Sequence, residues 1–197
     1  TLFQRPQQLM RQFSRMGVPV AYVSVIGARR WLRLRLSGAP LAGRAEGAAR
    51  FRTLPFLPFS ARSMLVERMN QARRIAAVRA ELRRMPLGPT VLWLYHPGYL
   101  GAERRVPNDL LVYDVMDQFE AFRKSARDVA AQEAALLARA DLVFTGGRTI
   151  HDKKAALRPD ARCLPSGVEV EHFAKALQPE TPVAEDIARL PRPILGY

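Results

Sequence analysis

Short runs of consecutive apolar residues alternate along this chain with longer stretches in which apolar residues recur every three or four positions. The consecutive runs predict buried strands, because a strand covered on both faces lacks polar alternation. The predicted strands and extended stretches lie in 18–25, 51–59, 90–95, 110–115, 141–147 and 161–173. The recurring stretches predict amphipathic helices. The predicted helices cover 4–16, 60–85, 126–140 and 149–157.

This alternation of strands and helices predicts an α/β fold with a Rossmann-like, doubly wound and mainly parallel sheet. Two segments fall outside the alternation. Residues 27–50 are rich in Gly, Arg and Ala without a clear period, which predicts a loop or a variable insertion. Residues 174–193 carry four prolines, a composition typical of a linker.

The segment 60–85 is the longest predicted helix, with Ser60 as its expected cap and Pro86 beyond its end. The apolar stripe expected to face the core consists of Met64, Leu65, Met69, Ala72, Ile75, Ala76 and Leu82. The other face carries Arg68, Arg73, Arg74, Arg79, Arg83 and Arg84. Such a basic face is either a solvated surface or a contact with an anionic membrane surface.

Basic residues are concentrated in the first half of the chain. Lys and Arg number 31 against 18 acidic residues, and the first 105 positions carry 19 arginines against four acidic residues. This charge suits nucleic acid, anionic lipid or phosphorylated ligands. Because the chain has no zinc-finger spacing, no RNP-like aromatic motif and no long basic tail, we expect no nucleic-acid partner.

The remaining composition excludes other classes of site. A hydrophobic content of 48% supports a packed core. A single cysteine, Cys163, excludes an internal disulfide, and three scattered histidines argue against a zinc site. No run of about 18 apolar residues occurs, so the sequence predicts no transmembrane helix.

Candidate functional residues follow the predicted strands at three places. His96 follows one strand, Asp114 and Asp117 lie at the end of the next, and Gly146 to Arg148 follow a third. Because ligands bind at the carboxyl ends of parallel strands, these residues are expected to share one edge of the sheet. A histidine there acts as a general base or bonds a sugar hydroxyl, unless it is a loop histidine bonded to backbone.

Asp114 and Asp117 have several interpretations. A carboxylate pair can hydrolyse a glycosidic bond, but no other feature of the sequence indicates a hydrolase. Asp117 instead caps a helix that starts near Gln118, with Glu120 at its third position, or lies in a ligand cleft; both roles are compatible. Asp114 lies inside its strand and needs a hydrogen-bond partner if it is buried.

The glycine pair at Gly146 and Gly147 opens a helix, and Arg148 follows it. Free N–H groups at a helix start, together with a positive charge, suit a phosphate or a sugar oxygen. The alternative is a tight turn that binds no ligand.

Five stretches occur along the chain in a fixed order: QRPQQL, WLYHP, VYDVMDQFEAF, ARADLVFTGG and LPSGVEVEHF. This order resembles bacterial family-4 glycosyltransferases of the GT-B fold, and the resemblance covers nearly the whole chain. It implies two Rossmann-like domains around a cleft, of which the first binds mainly the acceptor and the second most of the nucleotide-sugar donor. Residues 1–173 are then the acceptor-side domain without its first strand, 174–193 an interdomain linker, and 194–197 the start of the second domain.

The resemblance implies a metal-independent enzyme of hexosyltransferase type. Such an enzyme transfers a sugar from a nucleotide-sugar donor to a glycan or lipid-linked acceptor, as in the synthesis of cell-surface polysaccharide or glycolipid. It needs no cofactor besides the donor, and the isolated chain is expected to be inactive. We expect a cytoplasmic location with peripheral attachment to the inner face of the membrane.

Within this family pattern, the candidate catalytic residues are Asp117 and His96. The candidate acceptor- or donor-binding residues are Arg5, Asp114, Gly146, Gly147 and Arg148. The alternative function is a non-catalytic α/β binding or interaction module that recruits a partner through its basic half. A Rossmann-like epimerase or dehydrogenase is disfavoured, because no G-x-G-x-x-G follows a predicted strand.

Overall fold

The computed structural model describes residues 4–44, 49–60, 63–121 and 128–194. The chain divides into two compact units, Thr1–Pro165 and Ser166–Tyr197. In chain order the first unit contains α1 (Arg5–Arg15), β1 (Ala21–Gly27), α2 (Ala28–Leu36), β2 (Ala42–Arg44), β3 (Arg50–Phe56), α3 (Met64–Leu82), β4 (Val91–Leu94), β5 (Leu110–Val115), α4 (Val129–Arg139), β6 (Leu142–Thr145), α5 (Arg148–Ala155) and β7 (Arg162–Cys163). Short 3-10 turns at Pro97–Tyr99 and Phe119–Ala121 follow β4 and β5.

The strands form two sheets. The larger has the order β4-β5-β6-β7, and each neighbouring pair is parallel. The smaller has the order β1-β3-β2, in which β1 is parallel and β2 antiparallel to β3. Helices flank the parallel strands, and this confirms the predicted Rossmann-like α/β class.

The prediction of a loop over 27–50 is wrong, because that segment contains α2 and β2. Trp31 anchors α2, since its indole Nε1 donates a hydrogen bond to the Thr53 carbonyl of β3 at 3.1 Å. The helix was missed because Trp31 to Leu36 alternates arginine with leucine almost strictly, which imitates a strand. Arg and Leu are nevertheless both strong helix formers.

Helix α3 was placed correctly, but its cap and its buried face were not. Ser63 rather than Ser60 caps it, because the Ser63 Oγ accepts a hydrogen bond from the Val66 N–H at 3.4 Å. Its buried residues are Asn70, Arg74, Ile75, Ala77 and Glu81. Of the predicted apolar stripe, the exposed members are Met64, Leu65, Met69, Ala72 and Ala76.

Glu81 explains part of this discrepancy, because it joins α3 to the smaller sheet. Its carboxylate is only 2% exposed and accepts hydrogen bonds from Arg52 Nε at 2.6 Å and Arg50 Nε at 3.0 Å, both on β3. Burial by itself raises the pKa of Glu81, but the bonds from Arg52 and Arg50 outweigh it and the pKa lies below its usual value. A charged residue on the inner face therefore replaces apolar packing here.

Arg74 is a second charged residue on the inner face of α3, contrary to the prediction that it lies on the basic outer face. It is 5% exposed, and its Nη2 donates to Glu67 Oε1 and to the Gly98 carbonyl, both at 2.7 Å. Its guanidinium also lies over the Tyr99 ring, 5.5 Å from the centroid. These contacts tie α3 to the turn that follows β4.

The main core lies on one face of the larger sheet, against α3 and α4. It includes Ile75 of α3, Leu92 and Leu94 of β4, and Leu136 and Leu137 of α4. The opposite face carries a ring cluster of Phe13, Trp93 and Phe144, with Phe13 and Phe144 each 5.6 Å from Trp93 between centroids. Both faces of the sheet are therefore covered, as the continuous apolar strands predict.

The second unit contains α6 (Val170–Ala174), a 3-10 turn at Lys175–Leu177 and α7 (Glu185–Ala188). The proline-rich segment predicted as a linker thus carries short helical turns. Across the described part of the chain, no helix combines the length and the apolar character that crossing a membrane requires.

Candidate functional site

The carboxyl edge of the larger sheet collects the candidate residues, as the strand-end argument predicts. Strand register aligns Asp114 of β5 with Phe144 of β6, and the next pair is Val115 with Thr145. The Gly146 N–H then donates to the Val115 carbonyl at 2.9 Å, which holds the start of the turn before α5 against the end of β5. The backbone therefore brings the three predicted groups to one edge.

Arg5 and Asp114 bind each other at this edge. Arg5 Nε donates to Asp114 Oδ2 at 3.1 Å, and Arg5 Nη1 donates to the Leu164 carbonyl at 2.5 Å. Asp114 is completely buried and the Arg5 side chain is 13% exposed. Two of the five N–H donors of Arg5 are thus used within the protein, so both residues have a structural role at this edge.

Two polar atoms beside this ion pair have no hydrogen-bond partner among the described residues. They are Asp114 Oδ1 and the Tyr95 hydroxyl. Burial raises the pKa of the Tyr95 phenol, and the nearby Asp114 carboxylate raises it further. Buried polar groups are normally hydrogen-bonded, so this position calls for a polar neighbour.

His96 lies at the end of β4 with one side exposed and the other packed edge-on against Phe119, 4.7 Å between ring centroids. Its Nδ1 accepts a hydrogen bond from the Gly98 N–H at 2.9 Å, so the neutral ring carries its proton on Nε2. Loss of water around the packed side, and then the charge of Arg74, lower the pKa of His96 from 6.5 to about 4. At neutral pH His96 is therefore an uncharged ring with a hydrogen-bond donor at Nε2.

The backbone of Gly98 forms hydrogen bonds with two side chains, those of His96 and Arg74. A Cβ at this position would lie 2.9 Å from His96 Nδ1 and 3.0 Å from Arg74 Nη2. Glycine is required here by close packing, since both neighbours are held by hydrogen bonds to the same residue.

Asp117 is exposed in the turn that connects β5 to the 3-10 turn at Phe119–Ala121. The described residues up to Ala121 form a 3-10 turn from Phe119 rather than the α-helix predicted to start near Gln118, and Glu120 accepts a hydrogen bond from Lys154 Nζ at 3.2 Å instead of completing a capping box. Asp117 makes no side-chain hydrogen bond to any of the described residues. Its carboxylate is consequently available to a ligand.

The Gly146 to Arg148 segment starts α5. Gly147 is the N-cap with extended backbone, and a Cβ there would meet nothing within 4 Å. Arg148 is exposed, and the described residues give it no ion-pair partner. The start of α5 thus has room beside Gly147 and an exposed Arg148 next to it, a combination compatible with an anionic ligand.

A large cavity of about 1590 Å³ has His96, Met116 and Phe119 in its lining, but Asp117 and Gly146 to Arg148 are not among its lining residues. Tyr95 and Trp93 line it as well, and the sequence interpretation assigned no role to either. The stretch WLYHP contains the signal, because two aromatic residues precede the histidine within a predicted strand. Aromatic rings beside a hydrogen-bond donor such as His96 are typical of small-molecule pockets with a few fixed polar groups.

A second polar cluster has a structural role and lies on the face of the larger sheet that carries the main core. It consists of Tyr113, Glu133 and Lys154. Glu133 Oε2 accepts from Lys154 Nζ at 2.8 Å, and Glu133 Oε1 accepts from the Tyr113 hydroxyl at 3.1 Å. All three side chains are buried. The cluster links β5, α4 and α5 beneath the candidate edge, and its partners satisfy one another.

Comparisons with known proteins identify no family for this chain. No protein-family model matches it, and no curated protein matches it either. Over the described residues there is no cluster of three or more His, Cys, Asp or Glu side chains that could hold a metal ion. The candidate site therefore rests on its own geometry and on the resemblance of its sequence motifs.

Proposed function

We propose that this chain is the acceptor-side domain of a GT-B glycosyltransferase, which transfers a sugar from a nucleotide-sugar donor to a glycan or lipid-linked acceptor. The observation that carries the proposal is the carboxyl edge of the parallel sheet. Motifs that resemble those of family-4 glycosyltransferases supply His96, Asp117 and the open start of α5 at that edge. Ligands bind at this edge in open α/β sheets.

The proposed reaction needs an acceptor hydroxyl to attack the anomeric carbon of the donor while the nucleoside diphosphate leaves. The bond from the anomeric carbon to the diphosphate oxygen breaks, a bond to the acceptor oxygen forms, and the acceptor proton is lost. The exposed carboxylate of Asp117 is suited to accept a hydrogen bond from that hydroxyl. The start of α5 and Arg148 are suited to an anionic group.

His96 is better suited to hydrogen bonding than to proton abstraction. Its Nδ1 is occupied by the Gly98 N–H, and its lowered pKa leaves it a weak base. The Nε2–H group can donate to a sugar hydroxyl or to a phosphate oxygen. We therefore assign His96 to substrate binding, and we place proton acceptance on Asp117 in the proposed reaction.

Peripheral attachment to an anionic membrane at the cytoplasmic face is part of the proposal, because a lipid-linked acceptor lies in that surface. Helix α2 suits this contact better than α3. It carries four arginines and no acidic residue, and Leu32 and Leu36 are 52% and 78% exposed one turn apart. Exposed leucines flanked by arginines are typical of helices that lie in a lipid headgroup region.

The test is an activity assay on the protein expressed from its complete open reading frame. Purified enzyme is incubated with a panel of nucleotide-sugars and membrane-derived acceptors, and release of nucleoside diphosphate is measured. We expect turnover with one donor, and a loss of about 100-fold or more in kcat in Asp117→Ala. Asp160→Ala serves as the matched control, because Asp160 is an exposed aspartate before β7, at the opposite edge of the sheet.

Two results would contradict the proposal in different ways. If Asp117→Ala and His96→Ala both retained full activity, the assignment of the site would be refuted, but the proposed sugar transfer would not. Absence of diphosphate release with every donor, together with tight binding of another protein, would favour the non-catalytic interaction module instead.

A further inference from the structure

Helix α5 holds the turn that follows β5 through two consecutive lysines. Lys153 Nζ donates a hydrogen bond to Gln118 Oε1 at 2.8 Å. Lys154 Nζ donates one to Glu120 Oε1 at 3.2 Å. The side chains at positions 118 and 120 therefore both lie on the α5 side of the turn.

The residue between these two positions packs against the end of β4 instead. Phe119 is 5% exposed, and its ring lies edge-on to the His96 ring with 4.7 Å between centroids. Because Phe119 covers one side of that ring, it contributes to the loss of water that lowers the pKa of His96 to about 4. The position of the turn thus determines how far His96 is shielded from water.

The position of Asp117 is set by the backbone on either side of it. Its carboxylate is exposed and makes no side-chain hydrogen bond to any of the described residues. Before it, the Gly146 N–H donates to the Val115 carbonyl at 2.9 Å, and a Cβ at Gly146 would lie 3.6 Å from Met116 Cα. After it, the two lysine bonds hold the turn. The segment from Gly146 through α5 therefore holds the chain on both sides of Asp117.

Lys154 has one more partner than its burial requires. It is 5% exposed, and its Nζ also donates to Glu133 Oε2 at 2.8 Å. The buried Glu133 carboxylate already supplies the countercharge that a buried ammonium group needs. The side chain of Glu120 is 39% exposed, and an ion pair with an exposed partner contributes little to stability. The main consequence of the bond to Glu120 is therefore the location of the turn.

We propose that Lys153 and Lys154 are positioning residues for Asp117, because they hold the turn after β5 so that the Asp117 carboxylate stays at the carboxyl edge of the larger sheet. The inference rests on the proposed function, in which Asp117 accepts the acceptor proton. The lysines act on the rate of the chemical step, since a general base works only within hydrogen-bond reach of the proton that it removes.

The test removes the two acceptor side chains rather than the lysines, so that no buried charge loses its partner. In Gln118→Ala/Glu120→Ala, Lys154 keeps its buried carboxylate partner, and we expect the fold to be retained. The swapped variant, Gln118→Glu/Glu120→Gln, keeps an acceptor oxygen opposite each lysine. The matched control, Gln178→Ala/Glu185→Ala, removes the same two residue types from exposed positions of the second unit.

Two measurements on the 197-residue chain report the position of the turn. In the double alanine variant, amide exchange in residues 116–121 should become at least about tenfold faster. The NMR titration midpoint of His96 should rise from about 4 by at least about one pH unit, because the ring regains water as Phe119 moves away. The swapped variant and the control should keep both values of the unaltered chain.

Kinetics of the protein expressed from its complete open reading frame separate positioning from a purely structural role. In Gln118→Ala/Glu120→Ala, kcat should fall at least about tenfold while the KM for donor changes by less than about twofold. The swapped variant should retain kcat.

Three results would contradict the inference. Unchanged amide exchange and an unchanged His96 midpoint in the double alanine variant would overturn the proposal, and so would an unchanged kcat. Absence of diphosphate release by the unaltered enzyme would refute the proposed function and this inference with it, and that result is seen before any variant is compared.

Discussion

Arg5 Nε lies 3.1 Å from Asp114 Oδ2, and this bond joins the first turn of α1 to the carboxyl end of β5. The two residues are 109 positions apart in the chain. Because Asp114 is completely buried, the carboxylate depends on Arg5 for its countercharge. The ion pair thus fixes the position of α1 over the candidate edge.

Removing the countercharge should destabilise the fold. We expect Arg5→Met to lower the free energy of unfolding by about 3 kcal/mol, because it leaves a buried carboxylate unpaired. Arg5→Met combined with Asp114→Leu should recover much of that loss. Urea unfolding followed by circular dichroism measures both, and equal losses in the single and double variants would contradict the pairing.

His96 should titrate far below an ordinary histidine. NMR titration of its ring is expected to give a midpoint near pH 4, since loss of water around its packed side and then the charge of Arg74 lower its pKa. The pKa of His96 is higher in the unfolded chain, so protonation of this histidine favours unfolding. The stability that neutral His96 contributes is therefore fully present above about pH 6.5 and declines as the pH falls towards 4. A midpoint above 6 would refute the packed environment.

Two substitutions separate the structural role of His96 from its proposed substrate contact. His96→Asn keeps an acceptor near the position of Nδ1 and should preserve most of the melting temperature, whereas His96→Ala should not. Neither variant retains a donor at the position of Nε2, so both should raise the KM for acceptor. An unchanged KM in both would leave His96 with the structural role alone.

Gly147→Ala tests the open start of α5. The backbone is extended and a Cβ would meet no atom within 4 Å, so unfolding free energy should change by less than about 0.5 kcal/mol. If an anionic group binds these N–H groups, the added methyl should weaken donor or acceptor binding about tenfold, as measured by calorimetry. Gly167→Ala, equally unhindered but in the second unit, is the control.

Glu81 should make stability fall in acid. Its pKa is lower in the folded chain than in the unfolded chain, so the stabilisation is present above the unfolded value of about 4.5 and is lost as the pH drops through the folded value. Glu81→Gln should lower the free energy of unfolding by about 3 kcal/mol at pH 7, and the stability of this variant should fall less steeply in acid. Glu185→Gln, which alters an exposed pair with Arg189, should change neither.

The membrane contact of α2 can be tested with vesicles. Sedimentation with anionic lipid at low salt should be strong, and it should weaken in Leu32→Ser/Leu36→Ser at any salt. Arg33→Gln should weaken it only at low salt, because added salt screens charge. Leu157→Ser is the control, because Leu157 is an exposed leucine outside α2. If the protein does not bind the vesicles at low salt, the proposed membrane contact is wrong.

Sequence pattern predicted the central strands well because burial on both faces leaves little choice of residue. β5 was placed residue for residue, since LLVYDV is apolar up to Asp114. The pattern failed for α2, where alternating Arg and Leu obscured the helical period. It also failed for the inner face of α3, because Arg74 and Glu81 are buried through ion pairs that no single-segment pattern contains.

The candidate edge was predictable for a topological reason, and its contacts were not. Parallel strands end on one side, so His96, Asp114 and Gly146 had to approach one another. The bond between Arg5 and Asp114 joins segments far apart in sequence, and neither residue's local context predicts the other. The contact of Phe119, in the turn after β5, with the His96 ring is likewise not contained in the local sequence of either residue.

The backbone of Gly98 connects His96 to helix α3 through two hydrogen bonds. Its N–H donates to His96 and its carbonyl accepts from Arg74 of α3, and these two groups belong to successive peptides joined at the Gly98 Cα. The outer face of the same helix carries exposed arginine. A displacement of α3 that moved Arg74 would therefore reach His96 through the two backbone torsions of a single glycine.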